Sequence, residues 1–136
     1  MTTKTTAKKK VKKPDEQLAR NSRYHIRFAL IAAREAERVL PLFETEHPDD
    51  FRPRKAIEAI RQWAEGKREL GMQEVRKLAL GAHAAARAAK TDAARFAARA
   101  AGHSVATWHV PTHAMAVPIY AGKAMLAKKS DLPSQP

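Results

Sequence analysis

The sequence predicts an all-α protein, a compact bundle of about five helices with a central alanine-rich antiparallel helix pair. Alanine, arginine, glutamate and leucine dominate its middle, and these residues have high helix propensity. Apolar residues recur three or four positions apart, and no stretch alternates as a half-buried strand would. With 136 residues, the chain is long enough for one domain. We expect a helical domain over residues 15–127, between a disordered lysine-rich tail at 1–14 and a flexible tail at 128–136.

The first predicted helix runs from about Asp15 or Ser22 to Leu40. One buried stripe is predicted from its apolar spacing and consists of His25, Ala29, Ala32, Ala36, Val39 and Phe43. Three further apolar residues are expected to broaden that stripe: Tyr24, Phe28 and Ile31. Pro41 has no amide hydrogen to donate, so it is expected to kink or end the helix.

The second predicted helix follows a turn, and either Asp49 or Asp50 is expected to cap it. Pro53 suits its first turn, because the amide of that position has no partner inside the helix. Gly66 is the expected stop at its C-terminal end. Its predicted apolar face consists of Ala56, Ile57, Ile60, Trp63 and Ala64.

The third and fourth helices are predicted over about residues 72–89 and 92–109, with Thr91 or Asp92 capping the fourth. Inward positions of the third are Val75, Leu78, Ala82, Ala85, Ala86 and Ala89. Residues 81–101 contain twelve alanines, whose small side chains let two helices approach closely. This composition predicts the central antiparallel pair.

The fifth helix is expected to open at Pro111 and to end near Ala127. Pro118 falls inside this range, so a kink is predicted there. No apolar run reaches the roughly 18 residues of a membrane span, and there is no cysteine for a disulfide or a thiolate metal site. These features predict a soluble cytoplasmic protein.

The net charge of +12 is unevenly distributed. Residues 1–14 carry +6, residues 15–74 carry −1, and residues 75–136 carry +7. The basic tail is a candidate for weak nucleic-acid contact through Lys8, Lys9, Lys10, Lys12 and Lys13. Only four aromatic residues follow residue 52, which disfavours recognition of single strands by stacking.

Four of the six histidines lie in the second half of the chain: His83, His103, His109 and His113. The spacing of His109 and His113 suits a metal on one helix face, but Pro111 between them disfavours helical backbone. Acidic residues that could complete a metal site are scarce nearby. We therefore predict no metal or cofactor, and we expect these histidines to line a polar seam or an interface.

Arginines at helical spacing form a basic strip beside these histidines, consisting of Arg87, Arg95 and Arg99. Such a strip either pairs with phosphates or carboxylates or only keeps a helix face soluble. Arg52 and Arg54 lie near Asp49 and Asp50 in the sequence. These arginines could form an anion site at a helix N-terminus, or they could pair with the aspartates in a capping network within the loop. All these histidines and arginines are candidate partner-binding residues.

Readable catalytic motifs are absent from the sequence, which has no glycine-rich phosphate loop and no nucleophile elbow. Ser104 adjoins His103, but neighbours on a helix point about 100° apart. We therefore predict that the protein is not an enzyme.

Three stretches carry a family resemblance. They read VLPLFE followed by HPDDFRPRKAIEAIRQWAEG, then AHAAAR, then ARAAGH continuing through ATWHVPTHA to IYA. With these residues the chain resembles small all-α proteins described as immunity proteins of bacterial polymorphic-toxin systems. The resemblance covers roughly residues 24–125, and Trp108 and Pro118 depart from the family's pattern. It implies a protein that neutralises a cognate toxin by binding it.

The leading prediction is therefore a binding protein whose partner is a cognate protein toxin. The basic second half of the chain would suit an acidic surface on that toxin. The alternative is a nucleic-acid-associated helical protein that uses the basic tail and the basic second half.

Overall fold

The computed structural model describes residues 22–130, and within this range it contains five α-helices and no strand. They are α1 (Arg23–Glu44), α2 (Arg52–Ala64), α3 (Met72–Ala88), α4 (Asp92–Ala106) and α5 (Ala116–Ser130), with a 3₁₀ helix at Pro111–Met115. The predicted all-α fold class is confirmed. The lysine-rich tail, the alternative start at Asp15 and residues 131–136 lie outside the described residues.

Helix α1 begins at a side-chain cap, because the hydroxyl of Ser22 accepts a hydrogen bond from the amide of His25 at 3.1 Å. Pro41 does not end the helix, which continues to Glu44. Proline removes one hydrogen bond, but the carbonyl of Pro41 still accepts from the amide of Thr45 at 3.0 Å. Phe43, which is fully buried, holds this last turn against the core.

The faces of α1 confirm one part of the prediction and correct another. All six residues of the predicted stripe are buried. Tyr24, Phe28 and Ile31, however, are exposed, so they do not broaden it. The stripe widens in the other direction, through Ala33 and Leu40, because that side of α1 meets the neighbouring helices.

Helix α2 begins at Arg52 with Pro53 in its first turn, as expected, but neither aspartate occupies the capping position, so the predicted aspartate cap is wrong. The capping position is Phe51, which makes no side-chain capping bond. Asp50 instead accepts a hydrogen bond from the amide of Arg52 at 3.1 Å, in the first turn. Gly66 is confirmed as the stop, since its φ of 77° is a left-handed conformation that favours glycine.

Helices α3 and α4 form the predicted antiparallel pair and are joined by residues 89–91. Thr91 caps α4, because its hydroxyl accepts from the amide of Ala94 at 3.2 Å. Helix α4 is the centre of the bundle and packs against all four other helices. Its buried residues are small and consist of Ala93, Ala94, Ala97, Ala98, Ala100, Ala101, Gly102, Ser104 and Val105. Such residues let several helix axes come close to α4.

The predicted fifth helix is two elements, a 3₁₀ helix followed by α5. Pro118 lies in the first turn of α5, where the amide has no partner inside the helix, so the predicted mid-helix kink is wrong. Helix α5 extends to Ser130, beyond the expected end at Ala127. None of the helices within residues 22–130 is long and apolar enough to cross a membrane.

Candidate partner-binding site

Three of the four histidines of the second half converge at the junction of α3, α4 and the 3₁₀ helix. The ring of His103 lies 5.1 Å from that of His83 and 5.2 Å from that of His113, measured between centroids. Nδ1 of His103 lies 3.0 Å from Nδ1 of His113. In this contact one ring donates and the other accepts, so at least one of the two imidazoles is neutral.

An aromatic side chain of α5 completes this histidine cluster. The ring of Tyr120 stacks on His103, with centroids 5.0 Å apart and planes at 11°. The ammonium group of Lys123 lies 5.3 Å from the Tyr120 ring centroid and 5.6 Å from that of Phe96. Sequence reasoning missed Tyr120, because nothing in its local spacing connects it to a histidine in another helix.

His83 is held from two sides by residues of α4. Nη1 of Arg99 donates to Nδ1 of His83 at 2.8 Å. A Cβ added at Gly102 would lie 2.6 Å from Nε2 of His83, closer than side chains tolerate. Gly102 therefore provides the space for the ring. A glycine inside an alanine-rich helix is a sequence signal for such a close approach.

The cluster is mainly uncharged near neutral pH, although it is rich in basic side chains. Burial, reinforced by positive charge on neighbouring histidine and arginine side chains, lowers the pKa of His83 from 6.5 to about 4. Burial and the charge of His113 lower the pKa of His103, and burial and the charge of His109 lower that of His113. These histidines form a polar seam that burial keeps neutral.

His109 is exposed in the turn after α4, near enough to His113 for its charge to act on that ring. Of the two histidines whose spacing was considered for a metal, His113 contacts His103, with their Nδ1 atoms 3.0 Å apart. Within residues 22–130, no three histidine, aspartate or glutamate side chains are placed to hold a metal ion.

The arginines at the start of α2 have carboxylate partners within the chain. Arg52 donates to both oxygens of Asp50, at 2.9 Å from Nε and 2.7 Å from Nη2. Arg54 donates to both oxygens of Glu44, at 2.6 Å each. The ion pair of Arg52 with Asp50 corresponds to the predicted capping network within the loop. The ion pair of Arg54 with Glu44 joins the start of α2 to the end of α1.

The predicted basic strip divides into separate environments. Arg95 forms an ion pair with Asp92, and Arg99 is bound to His83. Arg87 is exposed near the end of α3. Arg87 could therefore meet a partner without first breaking an interaction within its own domain. Arg95 and Arg99 would each have to break one.

A second polar feature that sequence reasoning missed lies around His25 and the two tryptophans. His25 is fully buried, and its Nε2 donates to the carbonyl oxygen of Thr107 at 2.7 Å. Its ring lies 5.0 Å from that of Trp63. Beside Trp63 an open cleft of about 690 Å³ runs to Trp108, with the loop between α2 and α3 on its rim. Buried His25 joins α1 to the turn after α4.

The family model described as Imm-5 like putative immunity protein matches residues 18–135. The match includes all five helices and confirms the resemblance noted from the sequence. No curated protein matches the chain. No solved structure matches it either.

Proposed function

Because the chain belongs to the Imm-5 like family of immunity proteins, we propose that it binds and neutralises a cognate bacterial toxin, without catalysing a reaction. The observation that carries the proposal is the family match over residues 18–135, which spans every helix of the bundle. Fold alone would not identify a function, so the family is the necessary premise. The cytoplasm is the proposed location.

The geometry around His103 supports binding over catalysis. The hydroxyl of Ser104 is fully buried and donates to the carbonyl of Ala101 at 2.7 Å. The hydroxyl of Thr107 donates to the carbonyl of His103 at 3.2 Å. A histidine that activates a nucleophile needs that nucleophile within hydrogen-bond reach and open to substrate. Both hydroxyls are instead engaged with backbone.

The predicted partner contacts divide into two groups in this proposal. Arg87 and His109 are exposed, and His83, His103 and His113 of the histidine cluster are half-buried. A toxin carboxylate could reach these side chains directly. At Arg52, Arg54 and Arg95 a toxin carboxylate would compete with a carboxylate of this chain. We therefore place these arginines at the rim of the proposed contact, where ion pairs contribute little binding energy.

The test is neutralisation of the toxin domain encoded beside this gene. Cells that express that domain should grow when the full chain is co-expressed, and the two purified proteins should elute together. The Arg87→Glu variant should weaken the complex by about tenfold or more, because it reverses an exposed charge. Lys77→Glu, at an exposed position ten residues earlier in α3, is the matched control. Full toxin activity in the presence of excess chain would overturn the proposal.

A further inference from the structure

The outer face of α1 is the most unusual surface of the bundle. It consists of Arg23, Tyr24, Arg27, Phe28, Ile31, Arg34, Glu35 and Arg38. At about 100° per residue, these eight positions occupy one continuous arc of about 140°. All are exposed except Glu35, which is partly so, and the core stripe of α1 occupies the opposite side.

Three large apolar side chains lie uncovered on this face. Tyr24, Ile31 and Phe28 are 56%, 54% and 38% exposed. Charged and small polar residues usually cover the solvent side of a helix in a monomeric protein. Tyrosine and arginine together are characteristic of the residues that contribute most to protein–protein binding. This composition therefore points to a protein partner.

Three of the four arginines on the outer face have no charged partner among the described residues. Within residues 22–130, Arg23, Arg27 and Arg34 form no ion pair, whereas Arg38 pairs with Glu35 at 2.6 Å. By contrast, all three arginines of α2 have carboxylate partners. The outer face thus presents a strip of largely unpaired arginines beside a strip of exposed apolar side chains, which is complementary to an acidic surface with exposed apolar residues.

We propose that the outer face of α1 is the anchor of the toxin complex and that it docks on an acidic protein surface. This inference rests on the proposed function and adds the outer face of α1 to the contacts proposed around Arg87 and the histidine cluster. The apolar strip would be desolvated on binding, and the arginines along one side of it would meet toxin carboxylates.

Two other occupants fit this face less well. A second copy of the chain would bring the same surface against itself, because a twofold interface is built from identical patches. Arg27 and Arg34 would then face like charges. A nucleic acid would satisfy the arginines but would leave Tyr24, Phe28 and Ile31 without apolar contacts, and Glu35 would repel its phosphates.

The experiment measures binding of the full chain to an inactivated form of the toxin domain encoded beside its gene. The Tyr24→Ala/Ile31→Ala and Arg27→Glu/Arg34→Glu variants should each raise the Kd by about 100-fold or more. The charge-reversal variant should also lose most of the salt dependence of association. Thermal melts should be unchanged, since none of these side chains belongs to the core.

The outward side of α5 offers matched controls, because Ile119 is 59% exposed and Leu126 is similarly open. Ile119→Ala/Leu126→Ala and Lys128→Glu/Lys129→Glu should change the Kd by no more than about threefold. If the α1 variants bind as tightly as the unaltered chain, the inference is wrong while the proposed function stands. If the unaltered chain does not bind the toxin domain, the inference and the proposed function are both wrong.

Two further readouts identify the competing occupants. A 20-base-pair DNA duplex that binds the unaltered chain but not Arg27→Glu/Arg34→Glu, with toxin binding intact, would assign the face to nucleic acid and overturn the inference. The unaltered chain could also form a dimer that the Tyr24→Ala/Ile31→Ala variant converts to a monomer, again with toxin binding intact. That result would assign the outer face to self-association and would also overturn the inference.

Discussion

The imidazole of His83 occupies the space that a side chain at Gly102 would need. A Cβ at position 102 would come within 2.6 Å of Nε2, 2.7 Å of Cε1 and 3.0 Å of Cδ2 of that ring. The whole ring would have to move, and Arg99 and His103 hold it from other sides. Glycine in a helix costs about 1 kcal/mol relative to alanine. At this position the close packing of α3 on α4 offsets that cost.

Gly102→Ala should therefore destabilise the protein by about 1–3 kcal/mol, because overpacking outweighs the gain in helix propensity. Urea unfolding followed by circular dichroism measures the change. Gly122→Ala is the matched control, since a Cβ there meets nothing within 4 Å and α5 should gain about 0.5–1 kcal/mol. Equal stabilisation by both changes would refute the steric explanation. In a His83→Ala background, Gly102→Ala should lose most of its penalty.

The histidine cluster should make the protein less stable in mild acid. The pKa of His83 is lowered to about 4 in the folded protein, so between that value and 6.5 the unfolded chain binds the proton more readily. The stability contributed by neutral His83 is therefore present above pH 6.5 and lost as the pH falls. After allowance for partial exposure, we expect a loss of about 1–2 kcal/mol from His83 between about pH 7.5 and 5.

This pH dependence is measured by urea unfolding at each pH for the unaltered chain, His83→Gln and His109→Gln. His83→Gln should flatten the profile, because it removes the titrating ring. His109→Gln, at an exposed position, should leave the profile nearly unchanged. A profile that remains equally steep without His83 would contradict the assignment.

Glu46 should stabilise the turn between α3 and α4 from a distant part of the chain. One of its oxygens accepts the amides of Lys90 and Thr91 at 2.6 and 3.1 Å, and the other accepts the Thr91 hydroxyl at 2.6 Å. Glu46→Ala should cost about 1–3 kcal/mol, because these donors lose a charged acceptor. Glu69→Ala, at an exposed position, is the control and should cost under about 0.5 kcal/mol.

The contribution of Glu46 should also disappear in acid. Burial raises its pKa, but hydrogen bonds from Thr91 and Lys90 and the charge of His47 outweigh that effect, so its pKa lies below 4.5. The difference in stability between the unaltered chain and Glu46→Ala should be complete above pH 4.5 and should shrink as the pH falls through the lowered pKa. A constant difference down to about pH 3 would contradict this account.

Pro41→Ala should stabilise the protein, because Pro41 lies inside α1 and is exposed. Alanine restores a backbone hydrogen bond to the helix, although the unfolded chain gains entropy. We expect a net gain of about 1 kcal/mol, seen as a higher Tm. Pro118→Ala is the matched control, since Pro118 lies in the first turn of α5, where proline removes no helix hydrogen bond. A Tm equal in both variants would show that Pro41 carries no such cost.

The amino-acid sequence by itself determined the helical class, several helix ends and the buried stripe of α1. These properties depend on contacts within about one helical turn, such as the Thr91 cap and the left-handed Gly66. It also grouped His83, His103, His109 and His113 along a polar seam or an interface, and three of these four meet in the structure. Tyr120, which stacks on His103 in that seam, carried no comparable local signal.

Only the tertiary structure decided which helix faces meet. Periodicity shows that a helix has an apolar face but does not define its edges, so Tyr24 and Ile31 were assigned to the core and are found exposed. The bond between Glu46 and Thr91 joins residues 45 positions apart. Such contacts depend on how α1, α3 and α4 dock, because side chains distant in sequence become neighbours only when the small residues of α4 bring the helices together.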